Sequence, residues 1–375
     1  IADYPFTTVK PNMGVAHIVT QCVCKELGVV DTPRSSICVD GKRLVPVKVV
    51  DVAGLVEGAS KGKGLGNQFL DDLRQADALV QVIDASGSTD LEGRKVPPGS
   101  HDPAEDIEMV EREFDLWMYG ILKRDWEKAT RSLEQTGGKV TDHLAERLSG
   151  LSVTLADVED VVLRLRLRTE KPSSWTDDQI MQFVIETRKL TKPSLIAANK
   201  ADLPTSSQNI ESLRRTGRQV IPCASEAELL LRRAAERGLV TYSPGDKGFT
   251  VPDQGKLSGA QAAALRMVED KVMRVYGGTG VQEAVNGAFF GLLKAIVVFP
   301  VEDETKLTDK DGRVLPDAFV MKGGSTALDL ARTVHSDLAE GFLYAVDART
   351  GKRLAGDYRL QNRDILKIVS SGKRG

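Results

Sequence analysis

Two short polar segments, each directly behind an apolar run, constrain this chain most. Asp51-Val52-Ala53-Gly54 follows Val45 to Val50, and Asn199-Lys200-Ala201-Asp202 follows Leu195 to Ala198. A short apolar run bounded by turn residues reads as a buried strand. Continuous rather than alternating runs suit a parallel sheet covered on both faces. Open α/β sheets bind their ligands at the loops where such strands end. Both segments therefore sit where chemistry is expected, and both belong to one sheet on this reading.

The chain between them is too long for a minimal α/β domain, so a block is inserted. Residues 1–95 read as the first part of that domain, with strands at Val15 to Val19, Val45 to Val50 and Ala78 to Ile83. Leu65, Phe69, Leu70 and Leu73 mark a helix from Leu65 to Gln75, completing a strand-loop-helix-strand unit. Residues 96–190 read as a helical insertion. Asp102-Pro103-Ala104-Glu105 has an N-cap, a proline at the first helical position and a glutamate placed to reach back. Thr176-Asp177-Asp178-Gln179 is a second capping box. Residues 191–295 return to the α/β domain, with strands at Leu195 to Ala198 and Val220 to Pro222, then helices broken at Gly277 to Gly280. Residues 296–375 carry four strands, near Ile296, Ala318, Leu343 and Ile365, and one helix opened by Thr326 and Asp329. One helix on a small mixed sheet is a β-grasp-like α+β pattern.

Composition narrows the function classes. The 375 residues are 41% hydrophobic and 28% charged with a net charge of −2, so no bulk electrostatic field draws the chain to nucleic acid or anionic membrane. No apolar stretch has the length of a membrane span. The four cysteines, Cys22, Cys24, Cys38 and Cys223, are too few for a disulfide scaffold and point to a cytoplasmic protein. Cys22-Val23-Cys24 with Cys38 offers three thiols, but C-x-C departs from the usual zinc spacing and no fourth ligand lies close in sequence. Reduced, unliganded thiols are the expectation.

The two loops carry specific chemistry. A carboxylate at Asp202 can accept at once from two adjacent N–H groups, such as those of guanine, in a charge-assisted pair. Asn199 is placed to tie the loop to its neighbours, and the Lys200 stem to lie along a purine ring. Read without chemistry, Asn-Lys-Ala-Asp is an ordinary turn. Asp51 at a strand end can hold Mg²⁺ through water, and the Gly54 amide can approach a γ-phosphate because no Cβ intervenes. The four glycines from Gly58 to Gly66 then give a loop free to move, as a phosphate-sensing switch requires. In the proline-bounded stretch Asp3 to Val15, Thr8, with Thr7 in reserve, can complete a Mg²⁺ shell. A phosphate loop, G-x-x-x-x-G-K-[ST], is absent from the sequence; Gly62-Lys63 is followed by Gly64.

In order along the chain these segments resemble the Obg-like GTPases, specifically the YchF subfamily of archaea. The residues that carry the resemblance are Asp3 to Val15, Asp51 to Asp72 with Leu65 to Arg74, Val82 to Ala85, His101 to Pro103, Asn199 to Asp202, and Val298 to Val369 with Val314 to Val320 and Gly323 to Thr326. The resemblance implies a P-loop NTPase-type G domain of the TRAFAC class, a helical coiled-coil insertion and a C-terminal TGS module. It implies binding of GTP and GDP with Mg²⁺, slow hydrolysis, and association with ribosomes or RNA through the TGS and helical parts. It places switch I at Asp3 to Val15 and switch II from Asp51, and sets Ala224 and Ser225 behind the base, where a backbone amide can reach its oxygen. Some relatives carry glutamate at the position of Asp202 and prefer ATP; the intact Asp202 favours GTP. Leu55 stands where many GTPases have a water-orienting glutamine, so hydrolysis draws help from a backbone group, a partner or a monovalent cation. The missing phosphate loop leads to the expectation that the native protein begins about 25 residues earlier. A chain limited to these residues is expected to bind GTP poorly. The alternatives are an ATPase of the same family and an RNA- or ribosome-binding adaptor using Arg164, Arg166, Arg168, Lys352 and Arg353, although near-neutral charge favours a solvated role for those side chains.

Overall fold

The computed structural model describes residues 12–52, 57–61, 73–74 and 76–371. The apolar runs become strands: β1 Asn12–Gln21, β2 Ile37–Val39, β3 Lys42–Asp51, β4 Leu79–Asp84, β5 Ser194–Asn199 and β6 Val220–Pro222. β4, β5 and β6 form a parallel sheet in that order, with Asp84 opposite Asn199 and Ala198 opposite Pro222. That register brings three strand ends to one edge. β5 has the continuous apolar character of a central parallel strand: Leu195, Ile196, Ala197 and Ala198 are all 5% exposed or less. Each large side chain buried this way contributes roughly 1.5–3 kcal/mol.

Two strands depart from the expected coverage. In β4, Val80 and Val82 remain 42% and 53% exposed, and Ile83 is the residue that reaches the core. β3 pairs with β1 and β2 rather than with β4. The reason is an alternation hidden in its valine-rich sequence. Val45 and Val47 point into a core with Ile18, Val297 and Phe299, Pro46 and Lys48 face outward, and the strand leaves that core at Val49 and Val50, 38% and 39% exposed. The strand-loop-helix-strand unit expected from Val45 to Ile83 is therefore not one sheet. Of its intervening helix, only residues 73–74 are described. The molecule divides into two compact units, Val50–Ala284 and Gly14–Val49 with the chain from Val285 onward.

Within the first unit the insertion is helical as expected. It comprises α2 Pro103–Lys123, α3 Trp126–Thr136, α4 Val140–Leu148, α5 Leu155–Leu165 and α6 Asp177–Thr191, α1 being Val23–Leu27 in the other unit. Asp102 caps α2, its carboxylate accepting from the Ala104 amide at 2.9 Å. Glu105 does not reach back to the cap and lies instead 3.7 Å from His101 Nδ1. Thr176 and Gln179 form the expected reciprocal box, and Thr154 and Asp157 form another that the sequence reading passed over. Phe114, Met118, Trp126, Trp175 and Phe183 fill the core of the insertion, with the Trp126 and Trp175 ring centres 5.4 Å apart. A buried bidentate pair, Arg188 to Asp115 at 2.6 and 3.2 Å, joins α6 to α2. The unit continues with α7 Ser206–Arg215, α8 Ser225–Glu236 and α9 Gly259–Val268, which runs on through Glu269–Met273 to Tyr276. α10, Val281–Asn286, follows.

The second unit contains β7 Ile296–Val301, β8 Phe319–Met321, β9 Phe342–Asp347, β10 Arg353–Leu354 and β11 Ile365–Ser370. Their order is β10-β9-β11-β7-β8, with β11 and β7 parallel and the other pairs antiparallel. α11, Ala327–Val334, opens on the Thr326–Asp329 capping box read from the sequence. Among the described residues no helix is long and apolar enough to cross a membrane.

Candidate nucleotide-binding site

β5 delivers Asn199 to the end of the parallel sheet, where it is 9% exposed. Its Oδ1 accepts a hydrogen bond from the Ser225 amide at 3.0 Å, fastening the loop to the first turn of α8. Lys200 then adopts a left-handed backbone, φ 59°, which turns the chain sharply away from the strand. Such a conformation costs a non-glycine residue energy and persists only where its surroundings hold it. The Lys200 carbonyl accepts from the Ser206 hydroxyl at 2.8 Å and the Leu203 amide at 3.0 Å. Ala201 donates to the Cys223 carbonyl at 3.0 Å and accepts from the Tyr276 hydroxyl at 2.9 Å. Asp202 is different. It is half-buried, and among the described residues its carboxylate makes no hydrogen bond or ion pair.

The Lys200 ammonium is fixed on Asp84, 2.9 Å from Oδ2. Asp84 ends β4, and its two oxygens also accept from the Ser86 amide and hydroxyl at 3.0 and 2.6 Å, the Ser88 hydroxyl at 2.7 Å and the Thr89 hydroxyl at 2.9 Å. Burial alone would raise this carboxyl's pKa. Lys200 and the three hydroxyls outweigh it and hold the group down at about 2. The sequence reading did not find this network. Its only trace is a serine- and threonine-rich loop directly behind a strand-ending aspartate, which is also ordinary turn chemistry.

Ala224 and Ser225 lie where β6 leads into α8, as the sequence reading requires of a loop behind the base. Their amides, however, are already committed. Ala224 donates to the Thr279 carbonyl at 2.8 Å and Ser225 to Asn199, so neither is free for a base oxygen in this arrangement. Thr279 reaches this point because Gly280 follows it. At φ 77°, a Cβ on Gly280 would lie 1.7 Å from the Pro222 carbonyl oxygen. Beneath the loop the Glu228 carboxylate, 4% exposed, accepts from the hydroxyls of Thr279 and Tyr242 at 2.5 and 2.6 Å and from Arg232 Nε at 2.5 Å. That cluster, too, was not legible beforehand, because its members come from three separate segments.

Of the residues expected at the phosphate end, Thr8, Gly54 and Leu55 lie outside the described residues. Asp51 closes β3 and is exposed. The described part of the glycine-rich stretch is held by α2. Glu113, 3% exposed, accepts from the amides of Gly58 and Ser60, both at 2.9 Å. Burial would raise its pKa, but the two amides and the Ser60 hydroxyl more than offset this and lower it.

Residues 197–303 match the family described as Obg-like GTPase YGR210-like, G4 motif-containing domain, and residues 1–113 match 50S ribosome-binding GTPase. The uncharacterized GTP-binding protein MJ1332 of Methanocaldococcus jannaschii is 47% identical over 375 residues, covering all of this chain and 93% of its own length. The chain is an Obg-like GTPase of the YchF type. This GTPase carries a TGS domain at residues 307–370. Its fold is shared by a crystal structure of a GTP-binding protein from Pyrococcus horikoshii, at a TM-score of 0.77 and 42% identity over 96% of this chain and 93% of that one. It is also 24% identical to the ribosome-binding ATPase YchF of Bacillus subtilis, over 99% of this chain and 88% of that protein. Membership makes the protein a nucleotide-binding hydrolase, as the order of its motifs implied.

Proposed function

We propose that the end of the β4-β5-β6 sheet reads the guanine of GTP, with Asp202 as the residue that distinguishes it. The supporting observation is the contrast within one loop. Asn199, Lys200 and Ala201 are each fastened by named partners, while the Asp202 carboxylate is left without one among the described residues. A carboxylate held on a rigid turn can accept from guanine N1–H and the neighbouring amine together. Adenine offers no such pair of donors on one edge. Asn199 keeps the loop in register with α8, and Lys200 keeps it in register with β4. Ala224 and Ser225 back the base through the loop's own hydrogen bonds rather than through free amides.

At the other end of the nucleotide, Thr8 and Asp51 are the residues that would hold Mg²⁺. An exposed carboxylate at a strand end is the hard oxygen donor that this ion takes. The ion supplies neutralisation of phosphate charge. Gly54 would give its amide to the γ-phosphate, and Leu55 excludes a side-chain route to orienting water, so a backbone group, a partner or a monovalent cation assists hydrolysis. The cytoplasm and the ribosome are the setting for this activity, on the strength of YchF relatives named for ribosome binding. The basic residues weighed for RNA contact are partly engaged within the protein. Arg164 pairs with Asp160 at 2.6 Å, and the Arg353 guanidinium sits 4.5 Å over the Tyr344 ring.

Those same YchF relatives are named ATPases, which makes adenine specificity the competing reading. Competition calorimetry of GTP against ATP on the full-length protein separates the two. GTP is expected to bind more tightly, and Asp202→Asn to remove the preference. Equal or tighter binding of ATP, unchanged by Asp202→Asn, would refute guanine reading.

A further inference from the structure

We propose that Cys22, Cys24, Cys38 and Asp31 form a structural zinc site in the second unit. The three thiols and the carboxylate converge so closely that one ligand atom from each lies within 4.8 Å of all the others. The sequence offered three thiols without a fourth ligand. The fold supplies Asp31, from the loop between α1 and β2.

The convergence is built, not incidental. Cys22 stands at the N-cap position of α1 and Cys24 lies within the helix, and both are buried. Cys38 stands on β2 opposite Arg43 of β3. The turn between those strands is Asp40-Gly41, both at positive φ, 51° and 82°, which is the two-residue hairpin geometry that suits an Asp-Gly pair. The tip of that hairpin is pinned to the start of α1, because the Cys22 amide donates to the Gly41 carbonyl at 2.7 Å. Helix start and hairpin are thereby held side by side, and their sulfurs face one another.

Two of the six ligand-to-ligand spacings are already near those around one ion. Tetrahedral zinc with Zn–S near 2.3 Å puts its sulfurs about 3.8 Å apart, and a carboxylate oxygen about 3.5 Å from a sulfur. Cys24 Sγ and Cys38 Sγ are 3.8 Å apart, and Cys22 Sγ is 3.2 Å from Asp31 Oδ2. Four protein ligands leave no open position, the arrangement of a structural rather than a catalytic zinc. A sulfur-rich tetrahedral set selects zinc over magnesium or calcium. A disulfide between Cys24 and Cys38 would account for two of the thiols only. It would leave the Cys22 thiol and the Asp31 carboxylate, 3.2 Å apart, outside the bridge.

Arg43 supplies the outer support that metal ligands need. Its side chain is fully buried, and Nη1 donates to Asp31 Oδ2 at 2.7 Å. Nε and Nη2 donate to the Ser36 hydroxyl at 2.8 Å and the Leu315 carbonyl at 2.7 Å. The guanidinium thus orients the ligating carboxylate, as second partners do at known metal sites. Deprotonated, the four ligands carry more negative charge than one zinc ion neutralises, and Arg43 offsets part of the excess.

The test is metal content of the full-length protein, prepared in reductant without chelator and with zinc as the added ion. One zinc per chain that survives desalting is expected. Replacement by cobalt(II) should give the near-ultraviolet absorption of thiolate-bound cobalt, a readout that needs no variant. Cys38→Ser, at the least buried of the three thiols, should lower zinc retention at least tenfold, and Asp31→Asn should lower it by about tenfold. A reduced, folded protein that takes up no zinc would overturn the proposal. So would a cobalt form without the thiolate band, or a Cys24–Cys38 disulfide in protein prepared this way.

Discussion

The loop proposed to read the base and the thiol cluster proposed to hold zinc solve opposite problems. In the loop from Asn199 to Asp202 the Asn199 and Lys200 side chains and the Ala201 backbone are tied to named partners, while the Asp202 carboxylate makes no hydrogen bond or ion pair among the described residues. In the cluster the polar atoms of two buried and two half-buried side chains converge on one another, around a point that none of them occupies. A ligand that comes and goes needs a rigid frame with one unmet group at its edge. An ion that stays needs a closed set of ligands and a buried support. The difference lies in how each region distributes its unsatisfied hydrogen-bonding and charge.

The sharpest way to break this contrast is at Arg43. Arg43→Met would leave Asp31 buried without its counter-charge, and loss of one partner from such a pair costs about 3–5 kcal/mol. Chemical denaturation should show that loss. A change below 1 kcal/mol would mean that the guanidinium is not what holds the cluster.

Asp202→Ala should do the reverse, lowering GTP affinity of the full-length protein by about 2–3 kcal/mol, close to a hundredfold, while stability stays within about 0.5 kcal/mol of the parent. Calorimetric binding and a denaturation curve on the same sample check both halves. A large stability loss would show that Asp202 is part of the frame rather than its open edge.

Asp84→Asn tests the frame itself. The folded carboxyl titrates at about 2 against an ordinary 3.8, so its contribution is fully present above pH 3.8 and lost as the pH falls towards 2. The shift corresponds to about 2 kcal/mol. Asp84→Asn should therefore be less stable than the parent at neutral pH by about that amount, and the two acid-unfolding curves should converge between pH 4 and 2. Curves that stay parallel through that window would assign the effect to something other than charge. The smallest effect belongs to a pair outside both regions. Arg164→Ala removes an exposed ion pair with Asp160 and should change stability by under about 0.5 kcal/mol.

Much of this was legible in the amino acids because the signals were local. β5 is a contiguous apolar run ending in a turn, so strand and loop could be read together. The capping boxes at Thr176 and Thr326 are likewise self-contained. What escaped depended on distance or on direction. Asp31 lies outside any zinc spacing and joins the cysteines only because the Asp40-Gly41 turn folds Cys38 back. The valines of β3 look uniform in sequence, and nothing local reveals that Val45 and Val47 face one way and Val50 is exposed. Ala224 and Ser225 could be proposed to lie behind a base, but their amides could not be seen to be taken by Thr279 and Asn199.

Glu113 has a consequence of its own. One carboxylate from the first helix of the insertion receives both Gly58 and Ser60. Bonds to a charged acceptor are worth about 1.5–3 kcal/mol each. Because both end on the same side chain, a single rotation of Glu113 releases them together. Residues 57–61 are therefore held or released as one piece, by a single side chain of α2.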